Sequence, residues 1–184
     1  MAALRALALA AILLAAGAGW EAQAQQRAEA SEASIKAAFL FKFANYVEWS
    51  PSAFQSPSDP LIIAVAESDE VAAELARIAS GRTIADHPVA VRRVAEGDPL
   101  RGVDLLFIGR DVARPAAMVR AAQQQNALVV MEVEHGLEQG AAINFVTAGD
   151  HVAFEVSLDA AGRTGNRISS RMLGVARRVI GKPS

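Results

Sequence analysis

The chain contains no cysteine, which excludes a disulfide framework, thiolate metal sites, a cysteine nucleophile and a lipoprotein anchor together. Aromatic residues make up only 5% of it, with a single tyrosine. Histidine occurs three times, at His87, His135 and His151, without HxH or HExxH spacing. No stretch reaches 18 consecutive apolar residues, so no segment has the length of a bilayer span. Neither charge sign dominates: 18 basic against 20 acidic side chains give a net charge of −2, with no overall pull toward nucleic acid or an anionic surface. What is abundant is apolar. The hydrophobic share is 52%, inflated by 40 alanines, yet Val, Ile, Leu and Phe suffice for a core, and 184 residues fit one domain of ordinary size.

Residues 1–24 read as a signal peptide. Arg5 supplies a short positive start, Ala6 to Ala18 an apolar core, and Ala22-Gln23-Ala24 a small-x-small site with cleavage expected after Ala24. Thirteen apolar residues at 1.5 Å each span about 20 Å, short of the roughly 30 Å hydrocarbon layer. The mature protein is therefore expected to be exported, and the alanine-rich style points to a bacterial periplasm. Residues 25–33 form an expected flexible tail, and residues 34–184 a single α/β domain.

The pattern of that domain starts with a helix from Ser34, with Ile35, Phe39, Phe43 and Tyr46 on one stripe and Ser34 as N-cap. A Pro- and Ser-rich loop follows over residues 50–60. Leu61 to Ala66, Val89 to Val94, Val103 to Ile108 and Leu128 to Val133 read as strands, alternating with helices opened by Ser68 and Pro115. Ala141 to Thr147 and Val152 to Leu158 form a hairpin. A final helix is predicted over Ile168 to Ile180, carrying Ile168, Met172, Val175 and Val179 at helical spacing. This order predicts an α/β sandwich with a mostly parallel central sheet, helices on both faces and an antiparallel C-terminal hairpin.

Chemistry-bearing patterns are sparse. His151 and Glu155 share a strand face, and His135 adjoins Glu132 and Glu134, but neither forms a ligand set; no metal and no cofactor are expected. There is no GxSxG elbow, so no catalytic residue is assigned. The stretch Gly162-Arg163-Thr164-Gly165-Asn166-Arg167 lacks the Lys-Ser/Thr ending of a phosphate loop and reads as a connection. Two surfaces remain for binding. One is aromatic: Phe39, Phe41, Phe43, Tyr46, Trp49 and Phe54 fall within 16 residues, and Phe41 lies about 200° from Phe39 on a helix, so one core face does not absorb both. The other is basic, with Arg167, Arg171 and Arg178 on one face of the predicted last helix. Phe41, Tyr46, Trp49, Phe54, Arg167, Arg171 and Arg178 are thus the candidate partner-binding residues. For a small-molecule module, Asp69, Arg110 and Asp111, just beyond strand ends, are the candidate ligand residues. A hydrolase with dispersed residues is a third class, and a homodimer stays open.

The segment Ile35-Lys36-Ala37-Ala38-Phe39-Leu40-Phe41-Lys42-Phe43-Ala44-Asn45-Tyr46-Val47-Glu48-Trp49 resembles the opening helix of the YfiR-like family. Gly140, Ile143, Phe145, Phe154-Glu155-Val156 and Ile168-Ser169-Ser170 through Leu173 and Ala176 follow in the family's order. Ser50 separates Trp49 from Pro51 where the family has them adjacent, Ser157 stands at a common asparagine position, and the paired cysteines of some members are missing. The resemblance implies a periplasmic regulator rather than an enzyme, one that binds the periplasmic domain of an inner-membrane diguanylate cyclase or sensor kinase. Repression of the cyclase would lower cyclic di-GMP and biofilm formation. It implies neither nucleic-acid binding nor membrane insertion, and redox control through a disulfide cannot operate here.

Overall fold

The structure is a computed structural model and describes residues 32–56, 58–149 and 151–182. The expected signal peptide and most of the expected tail lie outside the described residues; residues 32 and 33, assigned to that tail, are already helical. Among the described residues, no helix is long and apolar enough to cross a membrane.

Helix α1 covers residues 32–46 and runs into a two-residue strand, β1 (Val47–Glu48). Its buried stripe is Ala33, Lys36, Ala37, Leu40, Phe43, Ala44 and Val47, while Ile35 and Tyr46 are exposed. The inward face is thus turned by about one residue, roughly 100°, from the predicted one. Ser34 lies inside the helix rather than capping it, and its hydroxyl meets Glu74 at 3.4 Å. Phe39 and Phe41 both pack against the same core cluster, against the expectation that one core could not take both.

The chain then builds β2 (Leu61–Ala66), α2 (Asp69–Ala79), β3 (Thr83–Ile84), β4 (His87–Val94), β5 (Leu105–Ile108), α3 (Pro115–Gln124), β6 (Leu128–Met131), β7 (Ile143–Ala148) and β8 (His151–Ser157). α4 (Leu158–Arg163), β9 (Arg167–Ile168), α5 (Ser170–Leu173) and β10 (Arg178–Ile180) complete it. The main sheet has eight strands in the order β10-β8-β7-β6-β5-β2-β4-β3, and β1 pairs with β9 separately. Strands β4, β2, β5, β6 and β7 are parallel, β7–β8 is the expected antiparallel hairpin, and β3 pairs antiparallel with β4. The predicted α/β class and mostly parallel sheet are what the chain forms.

Burial on both faces explains the unbroken apolar strands. Ile63, Val65, Leu105, Phe107, Leu128 and Val130 point to α1 and α2, whereas Ala64, Ala66, Leu106, Ile108, Val129 and Met131 point to α3. The connection β2–α2–β4 moves one way along the sheet, and β5–α3–β6 moves the other. The parallel strands therefore run in the doubly wound order, reversing between β2 and β5.

The predicted C-terminal helix does not form. Only Ser170–Leu173 is helical; Arg177 N–H donates to Phe154 O at 2.9 Å, and Arg178–Ile180 pairs parallel with Glu155–Ser157. Of the four apolar residues that suggested a helix, Ile168 and Met172 are buried while Val175 is 71% exposed, so the helical stripe had no continuous surface to cover. Arg167, Arg171 and Arg178 consequently sit on β9, α5 and β10, not on one helix face.

Asp104, just before β5, ties it to its central neighbour β2 at the amino end of these strands, accepting from Ile62 N–H at 2.7 Å. Burial pushes its carboxyl up to about 6, against the opposing pull of that hydrogen bond and of His87. A raised folded-state value means that ionisation disfavours the fold as pH climbs from about 4 through 6. Asp104→Asn keeps the acceptor without the charge. It is expected to raise unfolding free energy by about 1–2 kcal/mol at pH 7.5, after discounting for solvent screening, and by almost nothing at pH 4. Urea unfolding of both proteins at the two pH values measures this.

Candidate functional site

At the carboxyl edge of the parallel strands, the turns after β2, β5 and β6 lie beside the first turns of α1. Gly109 follows β5 at the reversal point, where a Cβ would come within 2.8 Å of Glu67 O, so only glycine lets the two turns approach. Glu67 itself has a φ of 49°, a left-handed conformation rarely adopted by a residue with a long side chain. The turn after β6 is pinned from below. Buried Asn144 donates from Nδ2 to Val133 O at 3.0 Å and accepts from Val133 N–H at 3.4 Å. A Cβ on Gly136 would fall 2.2 Å from the Asn144 amide oxygen, so this turn too requires glycine.

These backbones bring together four charged side chains. Lys36 Nζ, on the inward face of α1 and almost wholly buried, donates to Glu132 at 2.5 Å and also to Glu32. Arg110 donates to Glu32 at 2.6 Å and, through Nε, to Glu132 at 3.0 Å. Two cations and two carboxylates close a ring in which every partner bonds two others. The Lys36 hydrogen bond, helped by Arg110, holds the Glu32 carboxyl below its ordinary range despite partial burial. The Glu132 carboxylate raises the Arg110 guanidinium above its usual value.

The ring separates two clefts. One, about 280 Å³, opens over the reversal point and adds Glu67, Ser68, Glu70, Val71 and Asp111 to the ring residues. The other, about 320 Å³, lies toward β7 and β8 and is lined by Val133, Glu134, Phe145, Val146, Thr147 and Val152. Five carboxylates against two cations line the first, so it offers sites for both charges of a polar ligand. Arg110 and Asp111, chosen for their position beyond β5, line this cleft. Asp69 points into the neighbouring groove, 3.2 Å from Arg93.

The chain matches the family model described as YfiR/HmsC-like over residues 33–177. This protein belongs to the YfiR/HmsC-like family. No curated protein matches the chain. The family is regulatory rather than catalytic, and its theme is control of cyclic di-GMP synthesis. The matched region of this YfiR/HmsC-like chain spans α1 through α5 and stops just before β10.

The aromatic and basic candidates disperse into distinct settings. Phe41 lies under the Arg82 guanidinium at 5.4 Å, and Phe54 stacks on His87 with ring centroids 3.7 Å apart, both beside the β3–β4 corner. Trp49 donates its indole N–H to Ala44 O at 3.0 Å. Tyr46, Trp49 and Arg167 gather around β1–β9, with Arg171 just beyond on α5. Arg178 bonds Glu155 at 2.8 Å on β10, the edge strand of the main sheet, which does not include β1 and β9. Among the described residues no group of three His, Asp or Glu is placed to hold a metal ion. Lys36, Glu32 and Glu132 were not recognisable as a set from the sequence. The available signal was a lysine between Ala33, Ala37 and Leu40, on what became the inward stripe.

Proposed function

We propose that this protein is an exported regulator that grips the periplasmic domain of an inner-membrane diguanylate cyclase and holds the enzyme inactive. Cytoplasmic cyclic di-GMP and biofilm formation fall as a result. The observation that carries this reading is the family match, which covers nearly every structural element of the chain. Physically, repression is differential binding: the regulator favours the receptor's inactive conformation over its active one. Candidate contacts are Phe41, Tyr46, Trp49, Phe54, Arg167, Arg171 and Arg178. The test is capture of tagged mature protein with solubilised membranes and mass spectrometry of what it retains. Recovery of a transmembrane diguanylate cyclase supports the proposal. Recovery of a sensor kinase alone keeps a regulatory role and rejects the cyclase.

A second reading, a small-molecule module feeding a receptor, draws on the cleft at the strand-order reversal, where doubly wound sheets place ligands. Arg110 and Asp111 would contact the ligand, with Asp69 at the rim of the adjoining groove. A ligand at 100 times its dissociation constant adds about 2.7 kcal/mol, a Tm rise on the order of 5–10 °C for a chain of this size. Thermal shift across a panel of charged metabolites is expected to yield such a hit in the native protein. The shift disappears in Arg110→Ala if the ligand sits in this cleft.

A further inference from the structure

The ring of four charges has a fixed half and a loose half. Lys36 and Glu132 form the inner side, with side chains 7% and 16% exposed, whereas Glu32 and Arg110 form the outer side at 39% and 58%. Glu132 follows β6 directly and accepts from both cations. Glu32 is the first described residue of α1, one helical turn before Lys36. Among the described residues, only Lys36 and Arg110 bond its carboxylate. Two cations facing one fixed carboxylate leave a net positive seat, and a carboxylate from the margin of the fold sits in it. The Lys36 hydrogen bond keeps that group ionised by holding its carboxyl below the ordinary range.

An apolar wall lies beside the seat. The cleft toward β7 and β8 shares all four ring residues and adds Val133, Phe145, Val146 and Val152. Its one further charge, Glu134, has a side chain 90% exposed and is largely screened by water. The cleft over the reversal point instead adds three carboxylates, Glu67, Glu70 and Asp111, which repel an incoming anion. An anion that takes the seat is therefore directed to the apolar side. At about 320 Å³ that cleft is at the small end for a ligand pocket, with room for one ring or a short chain.

We propose that Glu32 is a built-in stand-in for the carboxylate of a ligand, a small monocarboxylate with an apolar or aromatic tail. On binding, the ligand carboxylate replaces that of Glu32 on Lys36 Nζ and Arg110, and Glu32 swings into solvent. The tail lies on Phe145 and the three valines. One carboxylate exchanges for another, so the charge of the ring is unchanged and the gain comes from the buried tail. The internal carboxylate weakens apparent affinity in proportion to the fraction of molecules whose seat it fills. The inference rests on the small-molecule reading and adds to it a ligand class and the side of the ring on which the tail lies.

Isothermal titration calorimetry of the full mature chain with phenylacetate tests this, with acetate, phenylacetamide and phenylethylamine as comparison ligands. Glu32→Ala empties the seat and is expected to bind phenylacetate at least about tenfold more tightly than the native protein does. In that variant acetate, which lacks the tail, is expected to bind at least about tenfold more weakly than phenylacetate. The same loss is expected for phenylacetamide, which lacks the charge, and for phenylethylamine, which reverses it. Arg110 is more than half exposed, so Arg110→Ala leaves the core intact; added to Glu32→Ala, it is expected to weaken phenylacetate binding at least about tenfold. The proposal is overturned if Glu32→Ala does not tighten binding, if Arg110→Ala leaves it unchanged, or if acetate or the amide matches phenylacetate. Preference for the amine also overturns it and assigns the clefts to cations. A charged metabolite that raises the Tm of the native protein and is not displaced by phenylacetate keeps the small-molecule reading while rejecting this ligand class. If no compound of either set binds the native protein or Glu32→Ala, the small-molecule reading itself fails.

Discussion

Phe43→Ala is expected to cost about 4 kcal/mol of unfolding free energy, read as a shift of the urea midpoint at unchanged slope. Phe43 is 1% exposed and packs against three other phenylalanines. Its ring lies 5.7 Å from Phe39, 5.5 Å from Phe145 and 4.8 Å from Phe154, centroid to centroid. Phe145 and Phe154 face each other across the β7–β8 hairpin. The ring therefore joins the first helix to an element more than 100 residues away, and truncation leaves a cavity that neither side can close alone. A 4 kcal/mol loss is a large fraction of the roughly 5–15 kcal/mol available to a domain. Phe41→Ala supplies the contrast. Phe41 is half-buried on the rim of the same cluster and loses mainly the Arg82 contact and part of its area, an expected cost of about 1–2 kcal/mol.

The strands of the central sheet were legible because their burial is so uniform. Leu105–Ile108 and Leu128–Met131 are buried at every position, and a four-residue apolar run bounded by turns has few other uses. Strand order was not legible, since nothing local says that β5 returns to the far side of β2. The C-terminal error had a specific cause. Ile168, Met172, Val175 and Val179 satisfy helical spacing, but Arg178-Val179-Ile180 also satisfies a short strand, and the exposed β8 edge decided between them. The candidate site divides the same way. Arg110 and Asp111 were chosen because ligands gather beyond strand ends, and their place on the cleft at the strand-order reversal follows from sequence position. Lys36 and Glu132 were missed because they are 96 residues apart and meet only once the sheet has placed the turn after β6 under α1. The aromatic excess of residues 39–54 resolves into particular intramolecular contacts, among them the Phe54 stack on His87 and the Trp49 hydrogen bond to Ala44. Pair contacts of this kind have no signature in spacing.

Lys36→Met is expected to lower stability by about 3 kcal/mol at pH 7, the low end for breaking a buried ion pair, because Arg110 still reaches both carboxylates. The methionine fills the same volume, so the loss reports charge rather than a cavity. Glu132, whose side chain is 16% exposed, keeps only the largely exposed guanidinium as a counter-ion. The pH dependence carries a sign. Lys36 is the main reason that the Glu32 carboxyl is held below its ordinary 4.5, so the stability it adds is present above that value and lost as pH falls through the depressed one. The difference between native and variant protein is therefore expected to shrink on acidification below about pH 4.5. Lys36→Met with Glu132→Gln removes the stranded charge along with its partner and is expected to recover part of the loss, as apolar or neutral replacements of buried pairs often do. If the single variant is as stable as the native protein, desolvation of the ammonium already cancels its two bonds. The ring would then hold α1 to the sheet edge by geometry alone, leaving its charges available to the two clefts it divides.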